Sequence, residues 1–111
     1  MKRLVTSIAA GLLFASIAGA SIANAQSDGQ SVSISGFAFA QPELSVPAGT
    51  TVTWTNTDGV QHTTSAVDGT WDSGALSTSG TFSFTFNQAG DFAYQCDIHP
   101  NMQGIIHVLP A

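Results

Sequence analysis

The sequence predicts an all-β fold, a β-sandwich of about seven to eight short strands. Apolar and polar residues alternate in several short segments, most clearly from Thr81 to Phe86, where three phenylalanines fall on one face. Segments rich in Gly, Pro, Asn and Asp separate these strands at intervals of about eight to twelve residues. No stretch after residue 25 has the apolar period of a helix, so the sandwich needs no helical layer.

The N-terminal segment, residues 1–25, is predicted to be a cleaved secretory signal peptide. It opens on two basic residues, continues as an apolar run from Leu4 to about Ala20, and ends in a small-x-small cleavage site, Ala-Asn-Ala. An uncleaved membrane anchor is the alternative, because the apolar run is nearly long enough to span a bilayer. The cleavage site favours export, to the periplasm or otherwise out of the cytoplasm. Residues 26–111 then form a single domain.

The first predicted strand contains Val32 and Ile34, which alternate with serines. Gly36 interrupts this alternation, which predicts a bulge or bend before Phe37 and Phe39 resume it. The mature chain therefore begins with a bent, half-buried strand.

The next two predicted strands lie close together in the sequence. Pro42 and Pro47 bracket a short strand and restrict it to an edge or a strand end. Thr51 to Thr55 is a strong strand that places Val52 and Trp54 on one face. A redox role for the Trp54 indole is conceivable, but its place in the apolar alternation indicates a core residue.

The later strands approach a cluster of Cys, His and Met residues. After the turn Asn56–Gly59, the segment from Val60 to Ser65 carries His62. Phe92 to Cys96 is predicted to be a strand, and Ile105 to Leu109 is predicted to be the last one. The latter strand carries His107, which we expect to point to solvent and to which we assign no role.

The charge of the chain is strongly negative. The formal net charge of −5 includes Lys2 and Arg3, so removal of residues 1–25 leaves −7, from seven acidic residues and no lysine or arginine. Such a surface repels nucleic acid and anionic lipid, and would steer a basic protein partner toward it. Solubility alone is an equally good explanation of the acidity.

The only cysteine of the chain is Cys96. Exported domains usually pair their cysteines in disulfides, which one cysteine cannot do within its own chain. Cys96 is therefore a free thiol, an intermolecular bridge or a metal ligand. His99 and Met102, each three residues further along, favour the metal ligand.

These three residues provide a thiolate, an imidazole and a thioether on one loop. Two His and one Cys in a plane, with a distant axial Met, form the donor set of a blue copper site. His62 is the natural candidate for the second His. Taken singly, each of the four has an ordinary structural explanation, such as a buried thiol or a Met that fills a gap in the core.

One type 1 copper ion is the cofactor that the four residues predict together. Zinc is the main alternative metal, but structural zinc rarely takes a thioether, so Met102 favours copper. A dinuclear copper centre needs a second loop cysteine, and multicopper oxidases need further histidine clusters, which the chain lacks.

The sequence resembles the cupredoxins, in particular their plastocyanin/amicyanin-like members, from Phe37 to the C-terminus. The resemblance lies in the segment from Pro42 to Asn56, in His62-Thr63, in the segment from Gly90 to Cys96, and in the short amicyanin-type Cys-x2-His-x2-Met loop. It implies a Greek-key β-sandwich and a His99 ring that meets the surface within a hydrophobic patch. Thr63 stands where the family has Asn, which leaves open how the Cys96 loop is tied to the His62 loop.

The function that these features predict is that of a small exported blue copper protein that shuttles single electrons. The alternative is a periplasmic copper-binding or copper-delivery protein, although such proteins tend to use open sites rich in Met or His. An enzyme is disfavoured because four protein ligands leave no position for a substrate. The expected partners are transiently docking redox proteins, by analogy a c-type cytochrome or a dehydrogenase. We expect a monomer with no nucleic-acid partner and no stable membrane insertion after cleavage.

Overall fold

The computed structural model describes residues 29–111, which form seven strands and no helix. The predicted signal peptide, residues 1–25, lies outside the described residues. No helix that could cross a bilayer occurs within 29–111. The strands, numbered in chain order, are β1 (Gln30–Ile34), β2 (Glu43–Pro47), β3 (Thr50–Asn56), β4 (Ser65–Ala66), β5 (Thr81–Phe86), β6 (Gly90–Gln95) and β7 (Gln103–Leu109).

The strands form two sheets. One has the order β1-β3-β5 and the other the order β2-β7-β6-β4. The pairs β1–β3 and β2–β7 are parallel, whereas β3–β5, β6–β7 and β4–β6 are antiparallel. Side chains from both sheets enter one core, so the predicted all-β sandwich is confirmed.

Strand β3 forms the centre of the core. Its residues alternate between buried and half-buried, and Trp54 pairs with Val32 on one side and with Phe82 on the other. The Trp54 indole is 0% exposed, and its ring centroid lies 5.4 Å from that of Tyr94 in the second sheet. Burial raises the pKa of Tyr94 to about 12, so this ring brings no charge into the core. The prediction that Trp54 is a core residue is confirmed.

The segment after β1 differs from its prediction in one respect. Gly36 bends the chain as expected, with a φ of 62°, but Phe37 also has a positive φ, of 58°. The strand therefore does not resume at Phe37, and a single bridge between Ile34 and Phe39 is all that follows. Phe39 is buried, while Phe37 turns outward and is 51% exposed.

The two edges of the four-stranded sheet are β2 and β4. Strand β2 has five residues, of which the last is Pro47, and Pro42 directly precedes it. Strand β4 has only two residues. The prediction that the prolines restrict this strand to an edge is confirmed.

His107 lies on the outer face of the same sheet and is bound on both sides. Its Nδ1 lies 2.7 Å from Asp91 Oδ1 on β6, and its Nε2 lies 3.1 Å from Glu43 Oε2 on β2. A neutral imidazole has only one N–H, so the ring can donate to both carboxylates only when it is protonated. These hydrogen bonds, to Asp91 first and then to Glu43, raise the pKa of His107. The expectation that it merely points to solvent is therefore incomplete.

Protonated His107 should stabilise the fold in a pH-dependent way. Because its pKa is raised in the folded state, the stabilisation is fully present below the unfolded value of about 6.5 and is lost as the pH rises through the folded value. We expect His107→Gln to lower the denaturation midpoint at pH 5 and to change it little at pH 9. Chemical denaturation of both copper-free proteins measures this, and an equal loss at both pH values would contradict it.

Candidate metal centre

The predicted ligand loop connects β6 to β7. Cys96 follows β6 directly, and two backbone hydrogen bonds close the loop: Cys96 N–H donates to the Met102 carbonyl at 3.1 Å, and Met102 N–H donates to the His99 carbonyl at 2.9 Å. Cys96 is 0% exposed, Met102 is buried and His99 is half-buried. The loop thus presents its residues from a fixed backbone.

His62 reaches the same place from the segment between β3 and β4. Its backbone N–H donates to the Leu76 carbonyl at 3.2 Å and its carbonyl accepts from Leu76 N–H at 2.7 Å. This bridge holds the segment against the next loop although no regular strand forms there. The His62 side chain is fully buried.

The structure brings together three of the four predicted ligands. Cys96 Sγ lies 3.8 Å from His62 Nδ1 and 3.7 Å from His99 Nδ1, and the three donor atoms lie within 4.8 Å of one another. Two donors at about 2.0–2.3 Å from one ion and about 120° apart are separated by roughly 3.7 Å. The spacing therefore fits a single ion bound in a trigonal plane. Met102, the predicted fourth ligand, is buried in the same loop as Cys96 and His99.

Thr63 ties the two loops together. Its backbone N–H donates to Cys96 Sγ at 3.2 Å, and its hydroxyl accepts a hydrogen bond from Asp97 N–H at 2.8 Å. The hydroxyl also contacts Ser65 Oγ at 3.0 Å. Threonine thus makes the link that the sequence left open, and the N–H on the sulfur is the kind of contact that tunes a metal–thiolate bond.

We expect Thr63→Val to destabilise the copper-free protein by about 1–2 kcal/mol, because the Asp97 N–H loses its acceptor while the shape of the side chain is kept. Thr63→Ser retains the hydroxyl and serves as the control. Urea denaturation of both variants measures the difference. Equal stabilities for the two would show that the hydroxyl does not tie the loops.

Asp58, which the sequence assigned only to a turn, contacts the His62 ring. Its Oδ2 lies 2.8 Å from Nε2 of His62, so the ring donates from Nε2 and leaves Nδ1 free to bind a metal. The backbone amides of Phe37 and Gly36, and then the His62 ring, hold the pKa of Asp58 below its usual value. The spacing of four residues between Asp58 and His62 is the only sequence signal for this pair.

Phe37 is the second residue that the sequence did not assign to the site. Its ring stands edge-on to both predicted imidazole ligands, with centroids 5.1 Å from His62 and 4.9 Å from His99. It therefore covers the gap between the two histidines from the solvent side. No local pattern marks this contact, because it depends on the turn at Gly36.

A two-sheet β-sandwich with a His/Cys/His cluster at a strand-to-strand loop is characteristic of a cupredoxin, a class that holds copper with these residue types. The family of copper-binding proteins described as plastocyanin/azurin matches residues 26–109. The chain belongs to this family, and copper is its cofactor.

Amicyanins are among its curated relatives. The chain is 35% identical to amicyanin of Paracoccus denitrificans over 82 residues, which cover 69% of the chain and 63% of the relative. It is 34% identical to amicyanin-alpha of Methylorubrum extorquens, over 69% of each protein. The chain thus spans a little under two thirds of the length of the first of these.

Solved structures of amicyanin match the fold. A mutant of amicyanin in its Cu(I) form superposes with a TM-score of 0.69 at 32% identity, covering 72% of this chain and 81% of that one. This match confirms the predicted Greek-key, cupredoxin-like sandwich. It also confirms the amicyanin-like resemblance.

Proposed function

We propose that the protein is a type 1 blue copper protein that carries single electrons between redox partners. The observation that supports this most directly is the approach of His62, Cys96 and His99 to within bonding reach of one ion. A copper ion bound there would supply the Cu(II)/Cu(I) couple. The domain that does this is residues 26–111, after removal of residues 1–25 as a signal peptide.

Each of the four residues has a distinct role in this proposal. Cys96 would bind copper as a thiolate, and His62 and His99 would bind it through neutral Nδ1 atoms. Met102 would be the fourth and weaker donor. Because the loops are held by hydrogen bonds that do not involve metal, the donors would keep one arrangement in both oxidation states, and electron transfer would require little rearrangement.

Electrons would enter and leave through His99. It is the only one of the three clustered side chains that is not fully buried; the exposed Phe37 ring lies beside it, and the exposed Ile98 precedes it in the chain. An apolar surface around a half-buried ligand suits a partner that docks briefly and departs. We propose transient contacts with redox proteins, for which a c-type cytochrome or a dehydrogenase is the candidate by analogy.

The negative charge of the chain bears on the kind of partner it would meet, and the N-terminal segment bears on the compartment. With residues 1–25 removed, the chain has seven acidic residues and no lysine or arginine, so a partner with a basic surface is favoured. The signal sequence supports export to the periplasm or another compartment outside the cytoplasm. We propose a monomeric carrier and not an enzyme, since the site offers copper four protein donors and leaves no position for a substrate.

Voltammetry of the copper-loaded protein tests the proposal against copper delivery. A carrier should give a reversible one-electron wave and should retain its metal when a chelator is added. An irreversible wave with rapid loss of copper to the chelator would instead indicate a delivery protein.

A further inference from the structure

We propose that Asp58 is the positioning residue of the copper site: its single carboxylate fixes both the ring of His62 and the turn that carries Phe37. This inference rests on the proposed function, because it concerns how the ligands of that site are held. It adds a residue that contacts none of the reacting atoms and acts through the residues it holds.

The contacts of Asp58 connect two segments that are distant in sequence. Oδ1 accepts a hydrogen bond from Gly36 N–H at 2.7 Å, and Oδ2 accepts from Phe37 N–H at 3.0 Å and from His62 Nε2–H at 2.8 Å. The donors at 36 and 37 are 22 and 21 residues from Asp58. The Asp58 side chain is 16% exposed, so these bonds are partly shielded from water.

The turn at Gly36 and Phe37 needs such a partner. Both residues have positive φ, of 62° and 58°. The backbone N–H groups of the same two residues both donate to the Asp58 carboxylate. Successive amides in a turn of this kind form a concave site for an anion. A bulky residue such as Phe rarely adopts a positive φ, and it does so only when its surroundings hold it there.

The turn at Gly36 and Phe37 places the Phe37 ring against the histidines of the site. It contacts the rings of both His62 and His99 edge-on, at centroid distances of 5.1 Å and 4.9 Å. Asp58 therefore holds His62 through its ring nitrogen and from the other side through Phe37. Loss of the Asp58 carboxylate should therefore free both the Phe37 ring and the His62 ring.

The Asp58 carboxylate should also affect the relative stability of Cu(II) and Cu(I) at the proposed site. An anion that accepts the Nε2 proton of a ligating histidine makes the opposite nitrogen a better donor, and a stronger donor favours the more highly charged metal. Asp58 should therefore favour Cu(II) over Cu(I). Asp58→Asn should raise the reduction potential.

The positioning role is tested first in the copper-free protein by amide hydrogen exchange. We expect the Gly36 and Phe37 amides to exchange at least about ten-fold faster in Asp58→Ala, because they lose their acceptor. Asp68→Ala is the matched control, since Asp68 accepts from the Thr70 amide and hydroxyl within its own exposed turn. Unchanged exchange at residues 36 and 37 in Asp58→Ala would overturn the proposal.

The copper-loaded protein provides the second readout. We expect Asp58→Asn to shift the equilibrium with a reference redox couple about three-fold toward Cu(I), which is about 28 mV at 59 mV per ten-fold for one electron. Asp68→Asn removes the same charge and should shift it much less. Equal shifts in the two variants would reduce the effect to net charge and overturn the proposal. If the wild type shows no blue copper band, the proposed function fails, and the exchange experiment still decides the role of Asp58.

Discussion

Replacement of Cys96 by serine should abolish the intense blue absorption of the Cu(II)-loaded protein. The band arises from the covalent thiolate–copper bond of a type 1 site, and a serine hydroxyl does not ionise to form an equivalent bond near neutral pH. We expect copper affinity to fall by at least about ten-fold, because one of three in-plane donors is lost. Absorption spectra and a chelator competition on both proteins measure the two effects.

The Cys96→Ser result needs a control that keeps the thiolate. His107→Gln changes a histidine on the outer sheet face, where the ring contacts Asp91 and Glu43 and not the metal cluster. It should retain the full blue band. A blue band that survives in Cys96→Ser, or disappears in His107→Gln, would contradict the proposed ligand set.

Replacement of Trp54 by alanine should cost about 3–5 kcal/mol of stability, which is the usual range for deletion of a buried tryptophan. The indole is 0% exposed and lies against the rings of Phe82 in its own sheet, Tyr94 in the other sheet, and Trp71 in the segment between β4 and β5. The total free energy of unfolding of a small domain is only about 5–15 kcal/mol, so a large share of it would be lost. Denaturation of the copper-free protein, followed by circular dichroism, measures the change.

Trp54→Phe separates volume from ring contacts. It leaves a smaller cavity and keeps an aromatic ring, so we expect a loss well below that of the alanine variant. An equal loss of stability in Trp54→Phe and Trp54→Ala would mean that the indole contributes something other than packing. A loss under about 1 kcal/mol in Trp54→Ala would show that Trp54 is not central to the core.

Much of the fold could be predicted because it depends on local alternation. Strands β3 and β5 place their apolar residues at every second position, and this period determines which face is buried whatever the partner strand is. Three of the four proposed ligands could be named from the sequence because Cys96, His99 and Met102 share one loop. Only His62 had to be selected from elsewhere, and the small number of histidines made that choice simple.

The residues that the sequence did not assign act through contacts between distant segments. Phe37 reaches the site because a turn with positive φ interrupts the strand alternation. Asp58 looked like a turn residue, and its bonds to residues 36 and 37 depend on how β1 lies beside β3. His107 was assigned to solvent because its two carboxylate partners lie on different strands. No local pattern encodes such contacts.

The form of the four-stranded sheet also affects how copies of the protein meet. Open backbone at the side of a sheet can pair with another chain and lead to self-association. Here one outer strand has two residues, and the other is five residues long, with a proline before it and one at its end. The outer strands of this sheet therefore offer little backbone for lasting pairing, which suits the proposed carrier, since it would have to separate from each partner after every encounter.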